Sequence, residues 1–201
     1  DKLHLDRTFS SSNSTLYTLI EFPGESRKTN GSGLIEIWGS PGATYSLSVN
    51  LYNTSTEQIE SYTPYYSSKN GNDLLYTLAD NDPFFTDSCK VGFSSSTSIF
   101  NNCDKVLVGI NNTEQDDSYR YAMLEIICTS GTVHAWSSTS GETVFTNGGK
   151  YTSVWEDGNV NYTVGEVGGT AKSIISVGAY TSKNSYYDFE NELHTRSQTV
   201  G

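Results

Sequence analysis

Nucleophilic, acid–base and metal chemistry each need particular side chains, and here they are few: three cysteines, three histidines and scattered acids in 201 residues. Cys89, Cys103 and Cys128 form no C-x-x-C pair and no Cys/His cluster of the zinc type, so no metal site through sulfur is expected. Cys128 ends the apolar run from Met123 to Ile127 and reads as a small buried hydrophobe rather than a nucleophile. Cys89 and Cys103 bracket a Ser-rich stretch read as a loop, and a disulfide between them is left open for an oxidising compartment. His134 alternates with Val133 and Ala135 beside Trp136, which makes it a sheet-face histidine or part of a surface groove, the former being the simpler reading. His4 and His194 lie near the ends in polar surroundings, and nothing in the spacing marks a carboxylate or nucleophile for either. Ser130-Gly131-Thr132 reads as a turn, and no G-x-S-x-G elbow is present. The expectation is therefore no catalytic residue, no metal and no cofactor, with substrate-binding residues unassigned.

Two other motifs invite chemistry and do not sustain it. The polar run 113–118 holds Asp116 and Asp117 but lacks the spaced ligands and the glycine of a calcium loop, so it reads as a solvated hairpin loop before the strand from Tyr121. Gly165-Glu166-Val167-Gly168-Gly169 lacks the Gly-Lys-Ser/Thr ending of a phosphate loop. Tyr62, Tyr65 and Tyr66 cluster around Pro64. On an exposed loop they would stack on a sugar or grip a peptide, and otherwise they cap the ends of a β-sandwich, which is the preferred reading.

The elements that must position these residues are strands. Tyr45, Leu47, Val49 and Leu51 alternate with small polar residues, which predicts one buried and one wet sheet face. The runs 16–22, 34–38, 73–78, 105–110, 121–129 and 132–137 read as strands too, as does a pair at 151–155 and 161–164. Eight or so antiparallel strands with little helix point to an all-β, jelly-roll-like sandwich. Net charge is −11 with no basic stripe, which argues against nucleic acid as a partner. No apolar run is long enough for a transmembrane segment. Asp1-Lys2-Leu3-His4 does not open a signal peptide, so the chain is expected to be mature or cut from something longer.

The last quarter changes character. Residues 172–180 are apolar on both faces, as in a strand of a covered parallel sheet, yet no helices are at hand to cover it. The stretch Gly169-Thr170-Ala171-Lys172-Ser173-Ile174-Ile175-Ser176-Val177-Gly178-Ala179-Tyr180, followed by a polar connection to Thr195-Arg196-Ser197, resembles the segment that precedes the catalytic serine in bacterial subtilisin-like serine peptidases. The preceding portion is similar to the jelly-roll domain that some of them insert before that strand. Trp38 with its following Pro-Gly turn, and Val133-His134-Ala135-Trp136 before a Gly-rich stretch, fit such an insertion.

The resemblance implies residues 1–165 as a β-sandwich insert and 166–201 as a return segment toward the catalytic domain. It implies a parent serine endopeptidase working through a Ser-His-Asp triad, extracytoplasmic and bacterial. The family's Asp-Thr/Ser-Gly, His-Gly-Thr and Gly-Thr-Ser-Met-Ala motifs are not in these residues, so none of the triad carries over. The implied partners are the catalytic domain of the same polypeptide and its protein or peptide substrate. The apolar edge of 173–180 adds a homodimer through that strand. A free-standing carbohydrate-binding or adhesion module is the alternative; the former needs a planar row of exposed aromatics, and no internal repeat supports the latter. Sequons headed by Asn13, Asn30, Asn53, Asn111 and Asn161 are read as compositional for a bacterial protein.

Overall fold

Alternation of apolar and polar residues over short runs builds strands that must bury one face, and two sheets stacked face to face bury both. A computed structural model describes residues 2–22, 29, 31–79, 88–99, 101–112, 120–138 and 143–159, with the backbone of 185–187 and 193–195. The described residues are all-β, without helix, and none of them forms a helix long and apolar enough to cross a membrane. The chain divides into two compact units, Asp1–Thr163 and Val164–Gly201. In the second, β13 (Ser185–Tyr187) and β14 (Leu193–Thr195) form an antiparallel ribbon.

The first unit is the sandwich. One sheet contains β1 (His4–Phe9), β11 (Gly131–Ser138), β3 (Gly31–Gly39), β9 (Asp104–Asn112), β8 (Ser88–Thr97) and β7 (Leu74–Ala79), in that order. The other runs β12 (Val144–Thr146), β2 (Thr15–Glu21), β10 (Arg120–Cys128), β4 (Tyr45–Asn53), β5 (Gln58–Tyr62), with β6 (Tyr66–Ser67) also on β4. The chain steps from sheet to sheet at β1, β2, β3 and β4 and again from β9 to β12. That gives the order 1-11-3-9 over 2-10-4-5, the wrapping of a jelly roll. Ile35, Ile37, Val106 and Val108 of one sheet meet Leu16, Leu47, Val49, Leu124 and Ile126 of the other in a single core. Tyr66 stacks on Phe93 at 5.0 Å between ring centres within it.

Several sequence expectations are corrected. β4 carries the alternation, but its other face is not wet: Ser48, Asn50 and Tyr52 are buried as well. β9 and β10 lie in different sheets, so the connection 113–118 closes no hairpin between them, and residues 113–119 are outside the described residues. Residues 151–155 form no strand. Trp155 makes one isolated bridge to Tyr17 where the segment crosses the second sheet. Residues 161–164 lie outside the described residues.

The Cys89–Cys103 bridge is excluded by register. The Ser-rich stretch is itself strand β8, with Cys89 opposite Asn112 and Thr97 opposite Asp104, so the two cysteines sit toward opposite ends of one hairpin. Eight residues of extended chain span roughly 26 Å, whereas a disulfide needs Cα atoms within about 7 Å. All three cysteines are buried thiols. Ellman's reagent should react slowly with the folded protein and count three thiols in guanidinium without reductant; a count of one would restore the bridge.

Candidate functional site

The outer face of the first sheet gathers side chains from strands far apart in sequence. On β1, Leu5 and Phe9 point into the core, so His4, Asp6 and Thr8 point out. On β11, Val133 and Ala135 point in, so His134 and Trp136 point out. Register sets His4 against Trp136 and Asp6 against His134, and His134 faces Trp38 of β3 on its other side. His4 therefore meets His134 diagonally, Nε2 to Nδ1 at 3.1 Å, with the rings stacked. Trp136 lies 4.9 Å from the His4 ring and 5.3 Å from the His134 ring.

Asn159 completes the group and settles its protons. Its Nδ2 donates to Asp6 Oδ1 at 3.2 Å, and its Oδ1 lies 2.8 Å from His4 Nδ1. A carboxylate can only accept, so the amide Oδ1 faces His4, and Nδ1 of His4 is the nitrogen that carries hydrogen. His4 Nε2 then presents its lone pair to the N–H of His134. Burial, with His4 as a second cause, lowers the His134 pKa below its ordinary 6.5 against the opposing pull of Asp6. His134 is therefore neutral at pH 7. Both nitrogens of His4 are engaged, which removes it as a general base for a hydroxyl.

One strap of chain serves both outer faces. Residues 147–159 cross the second sheet, where Tyr17 N donates to Val154 O at 2.7 Å and Glu156 N to Tyr17 O at 2.9 Å. Buried Arg7 holds Glu156 Oε1 through Nε and Nη2 at 2.9 and 2.6 Å and donates Nη1 to Thr15 O. Beyond this anchor the strap delivers Asn159 to His4, while ahead of it Trp155 covers Tyr17 and Tyr52 at 5.5 and 5.6 Å. Lys150 Nζ lies over the Tyr52 and Trp155 rings and 2.7 Å from Glu57 Oε1, and that hydrogen bond is the main reason its pKa is raised. An open pocket of about 350 Å³ lies between Tyr17, Tyr52, Glu57, Ile59, Met123 and Trp155.

Beneath the same face sits a buried carboxylate. Glu125 accepts from Tyr65 OH at 2.7 Å, and from Ser48 Oγ and Asn50 Nδ2 at 3.3 Å each. Burial first, and then Glu125, raises the pKa of both Tyr65 and Tyr17. A carboxylate surrounded by donors that resist ionisation ties strands together and is poorly placed to take a proton from a substrate.

The tyrosines around Pro64 separate. Tyr66 is buried in the core, Tyr65 turns its hydroxyl to Glu125, and Tyr62 is exposed, so the three form no common platform. Gly131 of the Ser130-Gly131-Thr132 turn has φ +97° and lies against Ala43 and Ser40, which fits the turn reading. Only the backbone of His194 is described, opposite Tyr186. The Gly-rich joint, the strand 173–180 and residues 196–197 lie outside the described residues. Sequence reasoning missed the meeting of His4, Asp6, His134 and Asn159. The available signal was alternation, His4-x-Asp6 and His134-x-Trp136, which assigns each pair to one face of its strand.

No known protein family and no curated protein matches the chain. Among solved structures, the Clostridium perfringens CspB protease is similar with a TM-score of 0.46 and 9% identity over 76% of this chain and 28% of that one. The chain thus spans less than a third of that protein's length, and no residue role is carried across.

Proposed function

We propose that this chain is a non-catalytic β-sandwich inserted in a bacterial, extracytoplasmic subtilisin-like serine endopeptidase, where it shapes substrate access or docks on the catalytic domain. The observation that carries the reading is a juxtaposition: the sandwich unit ends at Thr163, and the stretch resembling the strand before the catalytic serine opens six residues later, at Gly169. An insert needs such a boundary, because its own core must close before the parent sheet resumes. The site chemistry agrees with a non-catalytic role. His4 spends both nitrogens on Asn159 and His134, and the three thiols are buried. Its partners on this reading are the catalytic domain of the same polypeptide and that enzyme's peptide substrate.

The encoding gene tests it. Asp-Thr/Ser-Gly and His-Gly-Thr motifs should lie upstream and Gly-Thr-Ser-Met-Ala downstream; flanks without them overturn the insert. The chain alone should neither cleave casein nor react with a fluorophosphonate probe, and turnover blocked by that probe would overturn the non-catalytic part. Light scattering that gives a monomer would remove the further expectation of pairing between chains through 173–180.

A further inference from the structure

We propose that His4, His134 and Asp6 bind one divalent transition-metal ion of the zinc class on the outer face of the first sheet. This is independent of the reading above and departs from the sequence expectation of no metal. One ligand atom from each of the three residues lies within 4.8 Å of the other two. The facing nitrogens of His4 and His134 are 3.1 Å apart. At metal–nitrogen bonds of about 2.0–2.1 Å, two corners of a tetrahedron stand roughly 3.3–3.4 Å apart, so the rings need to part by only about 0.3 Å.

The surroundings are those a metal-bound histidine requires. A ligating imidazole donates its other N–H to a carbonyl or carboxylate, which fixes ring and tautomer. His4 has this partner in place: Nδ1–H points to Asn159 Oδ1, and the Asn159 amide is itself held by Asp6. Its Nε2 lone pair is thereby aimed at the spot between the rings. On binding, the hydrogen on His134 Nδ1 moves to Nε2 of the same ring, the ion takes its place, and no proton is released overall. Asp6 supplies an anionic oxygen once its separation from the ring nitrogens, now within 4.8 Å, closes to the roughly 3.3–3.4 Å edge of a tetrahedron. Its side chain is 36% exposed, which leaves room for water to complete the coordination. Nitrogen and oxygen donors without sulfur suit zinc, nickel or copper over calcium or magnesium.

The test is Zn²⁺ titrated into the chain at neutral pH, followed by the imidazole ¹⁵N spectrum of its three histidines. His4 and His134 should shift together at one ion per chain while His194 stays still, and Co²⁺ in place of Zn²⁺ should give visible d–d bands. His134→Gln should weaken Zn²⁺ binding at least tenfold, and Asp6→Ala by roughly tenfold. A spectrum in which only His194 responds, no response at micromolar zinc, or undiminished affinity in folded His134→Gln would each overturn the site. Should a variant not fold, the spectrum of the unmutated protein decides.

Discussion

Replacing Gly158 with alanine should cost the sandwich about 3 kcal/mol, a backbone clash at the upper end of overpacking penalties. That corresponds to roughly 6–12 °C in Tm for a unit of this size. A methyl group there would stand 2.5 Å from the Lys2 carbonyl oxygen, 2.6 Å from Lys2 Cβ and 2.8 Å from the Phe145 carbonyl oxygen. Two of these atoms are backbone and cannot rotate away. Both accept hydrogen bonds, Lys2 O from Phe145 N at 2.9 Å and Phe145 O from Gly158 N at 3.1 Å, and the next residue is tied in turn, Asn159 N donating to His4 O at 2.6 Å. Relief therefore requires the strap to leave both β1 and β12, and Asn159 would lose its alignment with His4. Gly109→Ala is the matched control, since a methyl group there meets nothing within 4 Å and the residue sits inside β9. It should be neutral or stabilise by roughly 0.4–1 kcal/mol through the unfolded chain. Equal melting temperatures for the two variants would show that the strap is not closed on the sandwich as described.

What could be read in advance follows from the range of the interactions. The inward face of β4 was legible because Tyr45, Leu47, Val49 and Leu51 declare it within seven residues. Its outer face was not, because Ser48 and Asn50 look like solvated positions until Glu125, bonded to both and to Tyr65, is brought beside them. Strand β8 reads as a loop in the sequence because Ser94, Ser95 and Ser96 carry weak strand preference. Pairing with β9 overrides that along the three serines, β7 adds a second edge to Ser88–Phe93 before them, and the alternation of Cys89, Val91 and Phe93 is the signal to weigh. The histidine pair depends on register between residues 130 apart, which no local pattern contains. Local periodicity assigns a residue to a face; only the closed sheets assign it a neighbour.

The two outer faces share one cause. Each is a flat strand surface that carries polar groups, and each is closed by part of the same strap: Trp155 over Tyr17 and Tyr52, and Asn159 against His4. Arg7 joins them, since its guanidinium is buried and its charge is met by Glu156 in the strap. A buried arginine deprived of its carboxylate is costly. The strap is thus held by charge in the middle and by packing at either side.

Raising the pH above 10 should unfold the sandwich in one cooperative step, because its buried phenols ionise only when the fold opens. Tyr45 is 1% exposed, donates its hydroxyl to Ile37 O at 2.8 Å and lies near the Asp104 carboxylate. Burial first, and Asp104 second, raise its pKa far above the ordinary 10. Tyr17, Tyr65 and Tyr121 are raised as well, by burial and by nearby carboxylates. The sign follows from proton counting: a folded-state pKa above the unfolded value leaves stability intact below pH 10. Beyond it, the unfolded chain releases protons that the folded chain retains. For Tyr45 alone the loss is about 1.4 kcal/mol per pH unit; the three less buried phenols add smaller amounts. The part of the 295 nm tyrosinate absorbance that belongs to the buried phenols should therefore rise together with loss of the β-sheet circular dichroism. Tyr45→Phe should lower stability at pH 7 by about 1–2 kcal/mol through its lost hydrogen bond. It should also flatten the alkaline decline by one proton's worth. Smooth ionisation of all tyrosines with the circular dichroism unchanged would mean that Tyr45 is not enclosed between the sheets.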